Sequence, residues 1–271
     1  MEKTILITGS NSGIGKITAE YFAEKNWQVI ATMRNIEKAG TLTVHPNISI
    51  YELDVTDTQS IENSKAAILN DFEKIDVIVN NAGFGCYGAF EPTTESEIDR
   101  QLAVNIKGVM MVTKVFLAHF RKNRTGLFIN ISSIAGLVSY PLASMYVCSK
   151  WAVEGFTEAI SYELRPLSVR VKLVEPGGFK TNFQLEGMSW SHDESMPEYI
   201  EPTQKTIESR KQRQPDLPDP IAVAEKIFEA ANDDSDRLRY LVGDDAESYF
   251  AKRKEIGAEE YLSETYHNFI K

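Results

Sequence analysis

The sequence predicts an α/β protein, a doubly wound parallel sheet forming one domain over residues 1–271. Three observations carry that prediction. Short apolar runs rich in β-branched residues recur at 4–8, 28–33, 48–53, 76–80, 127–132 and 169–174, as expected of strands buried on both faces. Helical patterns at 14–24, 60–72, 95–120, 145–164 and 222–231 alternate with them, which implies right-handed strand-helix-strand crossovers. A glycine-rich turn directly follows the first strand, at the carboxyl edge where such sheets bind ligands.

Taken in order, the strand 4–8 runs into the glycine turn and the helix 14–24, the strand 28–33 is followed by the strand 48–53, and each strand from there on is followed by a helical pattern. Residues 240–242 add a last strand, and the charged tail from 246 to 270 reads as helical. The stretch 184–220 breaks the rhythm: it carries prolines at 197, 202, 215, 218 and 220 among Met188, Trp190, Met196 and Tyr199. A long insertion directly after the sixth strand is expected to be a substrate lid or a surface excursion.

Composition excludes several classes of function. With 42% hydrophobic and 25% charged residues the chain can bury a core without metals or disulfides. A net charge of −10 repels phosphate backbones and anionic lipid, so neither nucleic acid nor a membrane is an expected partner. No apolar stretch is expected to span a bilayer. Cys86 and Cys148 show no paired spacing and no signal peptide precedes them, pointing to a reducing, cytoplasmic setting.

The turn Thr8-Gly9-Ser10-Asn11-Ser12-Gly13-Ile14-Gly15 opens a helix. Glycines there let backbone N–H groups approach a pyrophosphate at the positive end of that helix. The GxxxGxG spacing departs from the phosphate loop of nucleotide triphosphatases, which disfavours kinase-like chemistry. At the end of the second strand stands Arg34, where a carboxylate would select NAD, so NADP is expected and NAD is less so. Asp54, followed by Val55, ends the third strand and suits either an adenine amino group or a helix cap.

Tyr146 and Lys150 are spaced to share one helix face. An ammonium beside a phenol favours the phenolate, which lets a tyrosine act in proton transfer near neutral pH. Ser133 lies upstream at the sheet edge, where its hydroxyl can steady a substrate oxygen; Ser132 rivals it, and a turn cap is the structural alternative.

Together these residues resemble the short-chain dehydrogenase/reductase family, in its subgroup of about 250 residues. The resemblance covers residues 3 to 182 through the glycine turn, Asn80 to Gly83, Asn105, Ser133, Tyr146 with Lys150, and Pro176-Gly177. It implies a Rossmann-type enzyme that moves hydride between nicotinamide and a carbonyl or secondary alcohol. Asn105 would hold a relay water, Lys150 the nicotinamide ribose, Asn81, Ala82 and Gly83 the adenosine ribose, and Pro176, Gly177, Phe179 and Thr181 the carboxamide. The helices 95–120 and 145–164 resemble those that pair subunits, implying a homodimer or homotetramer. Phe84, Tyr87, Leu137, Val138, Tyr140 and Phe183 suggest a small-molecule substrate with a hydrophobic body. The rival reading is an idle NADP-binding sensor or scaffold.

Overall fold

The computed structural model describes residues 2–181, 183, 187–213 and 216–270. Its main sheet has seven strands, all parallel: β1 (Thr4–Thr8), β2 (Gln28–Met33), β3 (Ile48–Glu52), β4 (Val77–Asn80), β6 (Leu127–Ile131), β7 (Arg170–Pro176) and β9 (Arg239–Val242), in the order β3-β2-β1-β4-β6-β7-β9. The chain builds outward from β1 to β3, then returns to place β4 on the other side of β1. That reversal opens a crevice between the carboxyl ends of β1 and β4, which is where this topology takes its ligands.

Alternation along each strand divides the core in two. Ile5, Ile7, Val29 and Val79 face helices α1 (Gly13–Glu24) and α7 (Ile221–Asn232), where they meet Phe22 and Ile227. Leu6, Ile30, Ile78 and Phe128 face the other way, against α2 (Thr58–Asp71) and α4 (Val109–Asn123), and pack on Ile61, Phe116 and Phe120. Both faces are therefore covered, and the strands read as unbroken apolar runs for that reason.

The expected helix 95–120 forms, with a π turn inside it. It comprises α3 (Glu95–Leu102), the π turn at Ala103–Gly108 and α4. A π turn widens the helix by a residue and re-aims its side chains, commonly beside functional sites; here it carries Asn105. Hydropathy also corrects an expectation, since the run Glu95–Asn123 is long and apolar enough to cross a bilayer. Part of its apolar character belongs to the core: Val112, Phe116 and Phe120 are fully buried under the sheet.

Sequence reasoning missed a second, two-stranded parallel sheet of β5 (Gly85–Tyr87) and β8 (Met188–Trp190). Within the proline-rich stretch the chain forms α6 (Ile200–Arg213). Of that stretch, 184–186 and 214–215 lie outside the described residues. The tail forms two helices, α8 (Asp244–Ile256) and α9 (Ala258–Ile270), separated at Gly257. Between β6 and β7 lies the long α5 (Ser144–Leu164), which carries Tyr146 and Lys150.

Candidate active site

A cleft of about 850 Å³ opens at the carboxyl edge of the sheet. One end is made by the β1–α1 turn. Gly9 approaches Ala82 so closely that a Cβ there would stand 2.9 Å from its Cα, and a Cβ on Gly15 would collide with Asn81 and the Gly9 carbonyl. Thr8 ties the two loops together, its hydroxyl accepting from the N–H groups of Asn81 and Ala82 at 3.0 Å each. Ser12 begins α1 in an extended conformation with no side-chain cap, and the first turn contains no acidic residue. Its N–H groups are thus left for an anion, which the helix dipole favours.

Gly9, Asn11, Ser12, Gly13 and Ile14 line the cleft. Two residues expected to join them do not. Ser10 is fully buried, with its hydroxyl donating to the Ile7 carbonyl at 2.9 Å, and Gly15 lies behind the wall against Asn81. Arg34 lines the cleft with an exposed side chain, and Lys38, which sequence reasoning passed over, lies there too. Asp54 and Val55 also line it. Asp54 does not cap α2: its carboxylate accepts from the Thr56 N–H and hydroxyl at 2.9 and 2.7 Å, and Asp57 is the cap, accepting from Gln59 N–H at 2.9 Å.

The other end holds Tyr146, Lys150 and Ser133. Tyr146 is buried among aromatic rings, with centroids 5.4 Å from Tyr87 and 5.7 Å from Phe183. The Lys150 ammonium lies 5.7 Å from the Tyr146 ring centroid and donates to the Ile131 carbonyl at 2.8 Å. Burial pushes its pKa down to about 8, with Glu154 opposing the fall. Ser133 stands two residues beyond the end of β6, not in the strand. It caps a short helical turn by accepting from Ala135 N–H at 3.1 Å and donates weakly to the Pro176 carbonyl at 3.4 Å. The cap and the cleft-lining position coexist, and Ser132 lines the cleft beside it.

Asn105 is not in the cleft wall. Its side chain is 1% exposed and clamps Phe84, donating to its carbonyl at 2.8 Å, accepting from its N–H at 3.1 Å, and donating to Ser149 at 3.1 Å. Gln101 extends the clamp by accepting from Cys86 N–H at 2.6 Å. These two amides fix β5, and with it Tyr87, against α5. The loop after β7 brings Pro176, Gly177, Phe179 and Thr181 to the cleft, while Asn81, Ala82 and Gly83 come from the end of β4. Val138 and Leu137 instead pack on the C-terminal helices with Ala246 and Tyr261, so neither serves as pocket wall. Those helices add Asp245, Tyr249, Tyr261, Thr265 and Asn268 to the lining. Nothing in the charged tail's sequence signals this, because the placement depends on how the tail folds back.

Residues 3–191 match the short chain dehydrogenase family model, and the chain belongs to that family of nicotinamide-dependent oxidoreductases. It is 42% identical over 183 residues to a 3-ketodihydrosphingosine reductase of Bacteroides thetaiotaomicron, covering 66% of this chain and 65% of that one. A short-chain dehydrogenase structure from Streptomyces avermitilis superposes with a TM-score of 0.83 at 31% identity, covering 97% of this chain and 96% of that one. The structure of ElxO with NADP bound gives a TM-score of 0.73 at 30% identity, covering 89% and 98%.

Proposed function

We propose that this chain is an NADPH-dependent reductase of a carbonyl group on a largely apolar small molecule, with Tyr146 as the proton donor. The observation that carries the reading is one cleft that has an uncapped helix N-terminus and two cations at one end, and Tyr146, Lys150 and Ser133 at the other. The residues fit the cofactor: Gly9 and Gly15 allow the close loop contact that shapes this end of the cleft, and no acidic residue stands in the first turn of α1. Gly9, Asn11, Ser12, Gly13 and Ile14 would hold the pyrophosphate, Arg34 and Lys38 a 2′-phosphate, and Asp54 and Val55 the adenine. Asn81, Ala82 and Gly83 would border the adenosine ribose, Lys150 would bond the nicotinamide ribose, and Pro176, Gly177, Phe179 and Thr181 would line the carboxamide. The NADP-bound ElxO structure supports this choice, and a relative named for reducing a ketone supports the reductive direction.

When bound, the reduced nicotinamide supplies the hydride. The chain supplies the proton and the geometry. Tyr146 gives its phenolic proton to the substrate oxygen, and the Lys150 ammonium favours the phenolate left behind. Ser133 holds that same oxygen, its weak bond to Pro176 being readily exchanged for a better one. Any relay from Lys150 through Asn105 would use the Asn105 backbone carbonyl, because the side-chain amide is occupied by Phe84 and Ser149. Tyr87, Tyr140 and Phe183 form apolar walls that exclude water from the reacting centre. Gly187, Thr206 and Leu217, from the proline-rich stretch, line the same cleft, which supports reading that stretch as a substrate lid.

Tryptophan fluorescence on titrating NADPH and NADH tests the cofactor half of the reading. A charge-assisted pair contributes about 1.5–3 kcal/mol, so Arg34→Ala is expected to weaken NADPH binding roughly 10- to 100-fold and to leave NADH nearly unchanged. Equal losses for both cofactors, or none, would remove the 2′-phosphate assignment.

A further inference from the structure

The proposed proton transfer needs Lys150 as a cation, yet its surroundings work against that charge. The side chain is 7% exposed, and the Ile131 carbonyl that accepts from it is neutral. One turn further along α5, on the same face, lies Glu154, 5% exposed. Its carboxylate is gripped from behind. Arg239 of β9 donates to one of its oxygens at 3.0 Å. Gly136 closes over Ser132 and Glu154 so tightly that a Cβ there would stand 2.7 Å from the Ser132 Oγ and 2.8 Å from the Glu154 Cγ.

We propose that Glu154 is a positioning residue for the reaction: held by Arg239 behind the active site, its carboxylate is the counter-ion that keeps Lys150 an ammonium beside Tyr146. This rests on the functional reading given above. The charged groups facing the pair come from three elements. Lys150, Tyr146 and Glu158 share α5 with Glu154, Glu175 comes from β7, and Arg239, with Arg237 close by in sequence, comes from the β9 side.

Glu175 decides how Arg239 divides its charge. It is fully buried and lies 3.7 Å from Arg239, against 3.0 Å for Glu154. Two buried carboxylates facing one guanidinium repel each other. Burial, and then the charge of Glu154, push the Glu175 pKa up to about 9, so Glu175 is neutral near pH 7 and the guanidinium is left to Glu154 and the exposed Glu158. Burial raises Glu154 above the ordinary carboxylate range as well, and the charges of Arg239 and Lys150 oppose that rise.

The test reads Lys150 directly in the full chain, with neither cofactor nor substrate added. In protein labelled with ¹³C-lysine, the Cε resonance of Lys150, identified by its loss in Lys150→Met, is followed by NMR as pH is raised. Wild type is expected to titrate near pH 8. Because Glu154 is the group that opposes the depressed value, Glu154→Gln is expected to weaken proton binding at Lys150 about threefold or more. Glu154→Asp restores most of it, and Glu175→Gln, which replaces a neutral acid by a neutral amide, leaves it unmoved. Arg239→Met reports in the same direction as Glu154→Gln, since Glu154 then takes up a proton, and serves if the first variant does not fold. An unmoved Lys150 midpoint in folded Glu154→Gln, even with lowered thermal stability, would overturn the proposal while leaving the NADPH reading to its own test.

Discussion

Arg34 and Lys38 stand at the exposed mouth of the cleft, and their side chains gain most from an anion placed between them. In the proposed reading, cofactor choice belongs to these two side chains. Arg34 was legible in the sequence because a strand end is a fixed address in this topology. Lys38 was not, because it sits in an irregular 3₁₀ segment, Ile36–Val44, whose path no periodicity announces. Tyr146 with Lys150 was likewise legible, since helical spacing alone puts them on one face. The burial that lowers Lys150 was invisible, and so was its partner Glu154, which looked like any helix-surface acid until β9 brought Arg239 against it.

At the scale of elements, two contacting loops hold the cleft open. The β1–α1 turn and the segment after β4 meet at Gly9, Gly15, Asn81 and Ala82, with Asn81 donating to the Thr8 carbonyl at 2.8 Å. Gly15→Ala forces a methyl group into that contact, and overpacking of this kind costs about 1–3 kcal/mol. Calorimetry should show a clearly lowered melting temperature, and NADPH titration a loss of affinity of at least about tenfold. Gly155 lies in α5 with no heavy atom within 4 Å of its added Cβ, so Gly155→Ala should stabilise by about 0.5–1 kcal/mol. If both variants behaved alike, the close approach would not be what fixes Gly15. The strands of the main sheet were readable because burial leaves a short apolar run at each. The β5–β8 pair was not, since its partners join across about a hundred residues through three-residue strands. The π turn at Asn105 also escaped, because it leaves the apolar pattern of α3 and α4 almost intact.

For the molecule as a whole, the buried acid pair makes stability depend on pH. Glu175 has a native pKa raised to about 9 against an ordinary value of 4.5. Between those values the native state holds the proton more tightly than the unfolded chain, so this group's contribution to stability falls as pH rises from about 5 to 9. Glu175→Gln removes that slope. Its melting temperature relative to wild type should rise steadily across this window, with little difference at the acid end; a constant difference would mean that Glu175 is ionised in the native protein. Comparison of the two proteins cancels the opposite contribution of Lys150, whose lowered pKa adds stability as pH rises above about 8. The architecture links this reserve of buried charge to the cleft, because β7 carries Glu175 and then turns directly into Pro176 and Gly177 of the lining.

The central claim is that one cleft binds NADPH and delivers a proton from Tyr146 to a carbonyl. The most direct measurement follows NADPH consumption against a panel of apolar aldehydes and ketones, for wild type and for Tyr146→Phe, with NADPH affinity determined for both. A positioned proton donor contributes about 10²- to 10⁴-fold. Wild type should therefore turn over at least one apolar carbonyl, and the variant should lose that activity by about such a factor while binding NADPH as before. Undiminished turnover in Tyr146→Phe would contradict the assignment of the proton donor, and NADPH binding with no turnover across the panel would contradict the claim that the cleft is a reductase site.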